Sequence, residues 1–205
     1  MEPNKNEHNS TMRTRQLRRE LLTARASLSS AERQAAAAQI MQRLQQLPEF
    51  QQPIRVGSYV SVHAEVSTQA LNQWLLQAHQ LAVPVLHPFR AGNLLFLNVT
   101  PNTQWHSNAF KIPEPKLRCP DIAPLATLDV LLVPLVGFDR HGNRLGMGGG
   151  YYDRTLAAWQ AGRLPRLLPI GLAYDQQCVA SLPAQAWDVP LPRIITPTKL
   201  WDFRR

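Results

Sequence analysis

Six of the ten glycines in this 205-residue chain fall within the fourteen residues Gly137–Gly150. They follow the densest apolar run of the sequence, Val130–Val136, and precede Tyr151-Tyr152-Asp153-Arg154. The order is buried strand, glycine loop, helix. In open parallel sheets ligands bind beyond the carboxyl ends of strands. Glycine lets the backbone come close to a phosphate, and successive N–H groups can form an anion nest. The helix behind it adds free N–H donors and the positive end of a dipole. Arg144 supplies a fixed cation within the same stretch. A mobile surface loop is the alternative, but such a loop has no need of the three consecutive residues Gly148, Gly149 and Gly150. No Lys-Ser/Thr follows the glycines, so this is not a Walker A loop. Tyr151 stands where a dinucleotide fingerprint has its last glycine.

The flanking pattern alternates strands and helices. Leu17, Leu21 and Leu28 are spaced helically, and Ser29 with Glu32 forms a capping box for a second helix. That helix buries Ile40, Met41, Leu44 and Leu47 and stops at Pro48. Strands are predicted over Ile54–Val60, Leu81–Leu86, Leu94–Val99, Leu128–Val133 and Leu167–Ala173, with helices opening at Ser67 or Thr68 and at Tyr151. The second of these helices is to run to Gln160 and stop at Gly162. Gly137–Gly150 is read as one long loop, and Pro101–Pro124 is too rich in proline to assign. The pattern implies right-handed parallel crossovers in a three-layer α/β/α domain with a Rossmann-like, mostly parallel sheet. One domain is expected over residues 12–205, behind a polar, disordered tail at 1–11.

Charge narrows the ligand class. The net charge is +8, and Met1–Gln45 carries eight basic and four acidic residues. That balance favours anionic partners. No nucleic-acid motif is present, and the arginines are not interleaved with aromatics as a single-strand binder requires. No apolar run approaches the roughly 20 residues of a membrane-spanning helix. Met1–Arg19 lacks the apolar core of an export signal, so a cytosolic location is expected. Cys119 and Cys178 have no metal or redox spacing and read as free thiols. His63, His87, His106 and His141 support no zinc site.

Arg144 through Arg154, with Gly137-Phe138-Asp139 ahead of it, resembles the hallmark of the 5-formyltetrahydrofolate cyclo-ligases, also called methenyltetrahydrofolate synthetases. The proteobacterial branch is the nearest match. The arginine-rich first helix, Ser61–Thr68 with Glu65, and Ile112-Pro113-Glu114-Pro115 follow in the order of that family. The resemblance implies a three-layer α/β fold. It also implies conversion of 5-formyltetrahydrofolate, with or without a polyglutamate tail, to 5,10-methenyltetrahydrofolate with ATP and Mg²⁺, by a monomer.

Residue by residue, the resemblance assigns ATP to Arg144, Leu145, Gly146, Met147, Gly148, Gly149, Gly150, Tyr151 and Tyr152, together with Arg15 and Arg18 of the first helix. Arg144 and Tyr152 are the expected catalytic pair. Asp153 is the expected magnesium ligand; as a residue alone it is equally a partner for the helix dipole. Arg15 and Arg18 taken alone suit a solvated helix face. Val60, Glu65 and Phe110 fall where the family lines its folate pocket. Without the resemblance, Glu65 reads as a surface carboxylate and Phe110 as core. Only one of Tyr151 and Tyr152 is expected to face the ligand. Pro192 stands where some members carry a further acidic metal ligand, and Asp188 is the nearest acid. Two other readings remain: a different phosphometabolite enzyme on a similar frame, such as a sugar-phosphate isomerase or CoA transferase, and a basic nucleic-acid binder.

Overall fold

The computed structural model describes residues 5–183, 185 and 187–204. Four helices appear: α1 (Lys5–Ala26), α2 (Ser30–Gln46), α3 (Gln69–Ala78) and α4 (Tyr151–Gln160). No proline or glycine interrupts Lys5–Ala26, so α1 begins inside the stretch read as a disordered tail; residues 1–4 lie outside the described residues. Ser29 caps α2 with the reciprocal bonds of a capping box, Glu32 N to Ser29 Oγ at 3.2 Å and Ser29 N to Glu32 Oε2 at 2.7 Å. Thr68 occupies the N-cap of α3 without capping it. Its hydroxyl instead donates to the Tyr59 carbonyl at 2.6 Å, tying the helix to the chain leaving the first strand.

The strands in chain order are β1 (Arg55–Gly57), β2 (Gln80–Leu86), β3 (Leu94–Asn98), β4 (Trp105–Ser107), β5 (Pro113–Pro115), β6 (Val130–Pro134), β7 (Gly137–Asp139), β8 (Arg144–Leu145), β9 (Leu168–Leu172), β10 (Cys178–Val179), β11 (Arg193–Ile195) and β12 (Leu200–Asp202). Seven make the main sheet in the order β12-β11-β9-β6-β1-β2-β3. The five inner strands run parallel, and β12 and β3 close the edges antiparallel. Alternation along a strand feeds two apolar layers. Val130 and Leu132 of β6 join Ile40, Leu44, Leu71 and Leu75 of α2 and α3 on one face. Leu131 and Val133 join Leu156 of α4 on the other. This is the expected three-layer α/β/α arrangement. Helix α1 lies outside both layers, and its Leu21 packs on Val136, Leu145 and Leu182.

The strand expected over Ile54–Val60 is confined to Arg55–Gly57, and two further segments differ from the sequence reading. Gly137–Gly150 is not one loop: β7 and β8 pair antiparallel, with β10 alongside β7, and only Gly146–Gly150 is open. The hairpin forms because Phe138 is fully buried and the turn behind it closes on Asp139. The carboxylate of Asp139 accepts from the backbone of His141 at 2.9 Å, Asn143 at 3.2 Å and Leu182 at 3.0 Å, and from Asn143 Nδ2 at 2.9 Å. The second difference is the β11–β12 pair, where Arg193 reaches Glu49 at 2.7 Å and Asp202 at 3.0 Å.

Burial pushes the Asp139 carboxyl up, and its four hydrogen bonds more than offset this, so it titrates below the usual carboxylate range. A depressed pKa stabilises the fold above the unfolded-state pKa, and this stabilisation is lost as pH falls through the native value. Asp139→Ala is expected to cost about 3 kcal/mol, because the Leu182 amide and the turn lose their acceptor together. Urea midpoints taken from neutral to acid pH test this; the variant should lose stability at neutral pH, and its gap to wild type should narrow as pH falls through the depressed native value of Asp139.

Candidate active site

Strand β1 connects to β2 on one side of the sheet, and β6 lies on its other side. The carboxyl ends of β1 and β6 therefore mark a topological switch point, where open α/β sheets leave a crevice. A cleft of about 930 Å³ opens there, large enough for a cofactor-sized ligand. Tyr59 and Val60 enter it after β1, Leu86 from the end of β2, Pro134 from the end of β6 and Leu135 just after it. The glycine loop and the first turn of α4 form one wall, and Thr14 and Arg18 of α1 reach over it.

Arginines brace the glycine loop from outside. Arg18 Nε donates to the Gly146 carbonyl at 2.9 Å. Arg154 Nε donates to the Gly92 carbonyl at 2.6 Å, and its Nη2 donates to the Gly149 carbonyl. The Arg154 guanidinium also lies 5.7 Å from the centre of the Tyr151 ring. Gly148 and Gly150 have φ of +97° and +66°, values that favour glycine. Gly150 is the N-cap of α4 and brings no side chain to its first-turn N–H groups. Arg154 closes the hallmark stretch, yet only the structure reveals it as a clamp.

Arg144 lies beneath this loop on β8 with its side chain 3% exposed. Its Nη2 pairs with Asp153 Oδ1, while its buried Nε has no partner among the described residues. Burial pulls the guanidinium pKa down and Asp153 opposes that; arginine stays charged all the same. Asp153, in the first turn of α4, is thus both a dipole partner and an ion-pair partner. Asp188 also lines the cleft and acts on Arg144, whereas Pro192 does not line it.

Both tyrosines line the cleft, not one. The Tyr151 ring meets Phe110 edge-on at 6.5 Å. The Tyr152 hydroxyl is buried without a partner among the described residues. Burial pushes its pKa well up, with Glu65 adding and Arg144 opposing, so it remains a neutral donor.

Val60, Glu65 and Phe110 also line the cleft. Glu65 follows two residues held at positive φ, His63 at +49° and Ala64 at +60°. Burial raises its carboxyl above the usual range, and the Val62 N–H, Arg25 and His63 pull it back. Two groups absent from the sequence reading support this turn: Arg25 Nη2 donates to the His63 carbonyl at 2.7 Å, and the Tyr174 hydroxyl donates to the Glu65 carbonyl at 3.0 Å. Arg25 is 1% exposed although it ends a polar helix, a context that signals a dipole partner rather than a buried prop. Phe110 is 57% exposed and belongs to no core. Arg15 is exposed and does not line the cleft; it shares a shallow groove along α1 with Arg18 alone of the other candidates. Among the described residues no cluster of three His, Cys, Asp or Glu side chains could hold a metal ion, and no helix is long and apolar enough to cross a membrane.

Fold and cleft together define a single-domain α/β protein with a cleft at the sheet switch point, lined by a glycine loop and by Arg18, Arg144 and Arg154. Residues 10–197 match the model of the 5-formyltetrahydrofolate cyclo-ligase family. The chain is 44% identical over 180 residues to the 5-formyltetrahydrofolate cyclo-ligase of Escherichia coli K12, covering 87% of this chain and 97% of that one. It is 44% identical over 182 residues to the Haemophilus influenzae protein of the same name, covering 88% and 96%. The NMR structure of Aquifex aeolicus 5,10-methenyltetrahydrofolate synthetase superposes with a TM-score of 0.78 at 30% identity, covering 94% of this chain and 93% of that one. The chain belongs to the 5-formyltetrahydrofolate cyclo-ligase family, whose members are ligases.

Proposed function

We propose that the protein closes 5-formyltetrahydrofolate to 5,10-methenyltetrahydrofolate with ATP, releasing ADP and phosphate. The observation that carries this reading is the lining of one cleft, in which the glycine loop, Arg18, Arg144 and Asp153 stand together with Val60, Glu65 and Phe110.

The formyl oxygen is a poor leaving group. Its attack on the γ-phosphorus of ATP breaks the bond to ADP and leaves an iminium phosphate. N10 then adds to the activated carbon, and loss of phosphate and the N10 proton gives the methenyl bridge. Phosphoryl transfer needs positioning and charge stabilisation more than covalent help from the protein. Backbone N–H groups of Gly146–Gly150 and the start of α4 orient the phosphates. Arg144, fixed by burial and by its pair with Asp153, contributes its charge to the transferring group. The unpartnered Tyr152 hydroxyl is placed to donate to an oxygen at the junction of the two substrates. Glu65 accepts from the amino and ring N–H groups of the pterin, and Phe110 covers its face.

Asp153 suits magnesium arriving with the nucleotide, because Mg²⁺ is commonly held by one carboxylate, substrate phosphates and water rather than by a protein cage. Bound there, it would neutralise phosphate charge. Cytoplasmic, monomeric operation on a folate completes the reading.

The test is a rise in methenyl absorbance when protein, 5-formyltetrahydrofolate, ATP and Mg²⁺ are mixed. No rise in folded protein would defeat the proposal. Stabilisation against melting by a phosphosugar but not by ATP would favour the phosphometabolite reading. Asp153→Ala is expected to raise the magnesium concentration for half-maximal rate at least tenfold, the scale of one lost charge-assisted contact. An unchanged magnesium dependence would remove that role.

A further inference from the structure

The short ribbon of β4 and β5 stands apart from the main sheet, with His106 opposite Glu114 and Ser107 opposite Pro113. Its tip carries Phe110 into the cleft, and Lys111 beside it has a φ of +60°. A non-glycine residue in the left-handed region costs about 1–2 kcal/mol, so the tip conformation has to be imposed from elsewhere. Asn108 imposes it. Its Oδ1 accepts from the backbone N–H of Phe110 at 2.9 Å and of Ile112 at 3.1 Å. Its Nδ2 donates to Glu114 Oε2 at 2.9 Å.

Glu114 is 8% exposed. The same Oε2 accepts from the backbone N–H of Leu86 at 3.2 Å, at the end of β2 where the strand enters the cleft. The other oxygen, Oε1, faces His106 Nε2 at 3.4 Å. The carboxylate is therefore engaged on both oxygens and joins the ribbon to the main sheet at the rim of the site. It also fixes which end of the Asn108 amide faces the tip. An inverted amide would set two donor hydrogens against the Phe110 and Ile112 N–H groups.

We propose that Glu114 is a positioning residue for the folate end of the cleft: acting through Asn108, it fixes the tip that holds Phe110 against Tyr151. The identity of the substrate in this inference rests on the proposed function; the ordering of the tip does not.

Glu114→Ala, Glu114→Gln and Asn108→Ala test it. Glutamine keeps a carbonyl oxygen for both Leu86 and Asn108; alanine keeps nothing. Glu114→Ala is expected to raise the KM for 5-formyltetrahydrofolate about tenfold, while kcat and the KM for ATP stay within about twofold and Glu114→Gln stays close to wild type. In a Phe110→Ala background, Glu114→Ala should add less than about twofold, since the two act in series. Amide hydrogen exchange without any substrate gives a second readout: Phe110 and Ile112 should exchange faster in Glu114→Ala, with α4 unchanged. If Glu114→Ala fails to fold, Asn108→Ala breaks the same chain at a less buried position and is read identically. Unchanged exchange at Phe110 and Ile112, equal effects of alanine and glutamine, or full additivity with Phe110→Ala would each overturn the proposal. An inactive wild type would defeat the proposed function alone, and the exchange measurement would still decide the role of Glu114.

Discussion

Arg144→Ala is expected to lower kcat/KM about 1,000-fold while leaving the fold intact, the scale seen when one group that stabilises transition-state charge is removed. Burial is the reason the effect should be large. A surface arginine is screened by water and salt, whereas the Arg144 side chain is 3% exposed and its field is little attenuated. Its Nε is unpartnered among the described residues, so the guanidinium is not fully engaged by Asp153 alone. Lysine should recover little, because an ammonium is a point charge and cannot present the same fork of donors. Stability should fall far less than activity: the Asp153 carboxylate left behind is a quarter exposed and can rehydrate. Initial rates by methenyl absorbance, set beside melting temperatures for Arg144→Ala and Arg144→Lys, separate the two effects. An alanine variant within about fivefold of wild type in kcat/KM would contradict an electrostatic role of this size.

Much of the architecture was legible because it depends on local rules. The Ser29–Glu32 capping box, the apolar run beginning at Val130 and the helix Tyr151–Gln160 each carry their signal within a few residues. The site was legible where backbone conformation demands a residue type, as at Gly148 and Gly150. Features created by distant contacts were not. The hairpin inside the glycine stretch exists because Asp139 gathers donors from its own turn and from Leu182. Arg25 resembles any basic helix end until the turn at His63 folds over it. Arg15 and Arg18 are indistinguishable on a basic helix, and the helix orientation alone turns Arg18 toward Gly146 and Arg15 away. The β11–β12 pair arises from two strands of three residues each, too short for periodicity to announce.

Gly148→Val is expected to raise the KM for ATP about 100-fold, and the structure shows why the backbone rather than collision decides this. A Cβ built at Gly148 would stand 3.7 Å from the nearest atom of Arg18, an ordinary contact. The φ of +97°, however, is one a β-branched residue essentially does not adopt. Valine would therefore drive the loop into another conformation. The Gly146 carbonyl is held by Arg18 and the Gly149 carbonyl by Arg154, so a shift at Gly148 pulls on both anchors and turns the adjacent N–H groups away from the phosphates. Gly162 supplies the control: it also has a positive φ, +72°, with nothing within 4 Å of a built Cβ, and it does not line the cleft. Gly162→Val should lower the melting temperature through backbone strain while leaving the KM for ATP unchanged. Gly148→Val should raise the KM for ATP with a comparable change in melting temperature, because both glycines are exposed and held at positive φ. Equal ATP affinity in the two variants would show that the left-handed residue in the glycine loop has no part in holding the nucleotide.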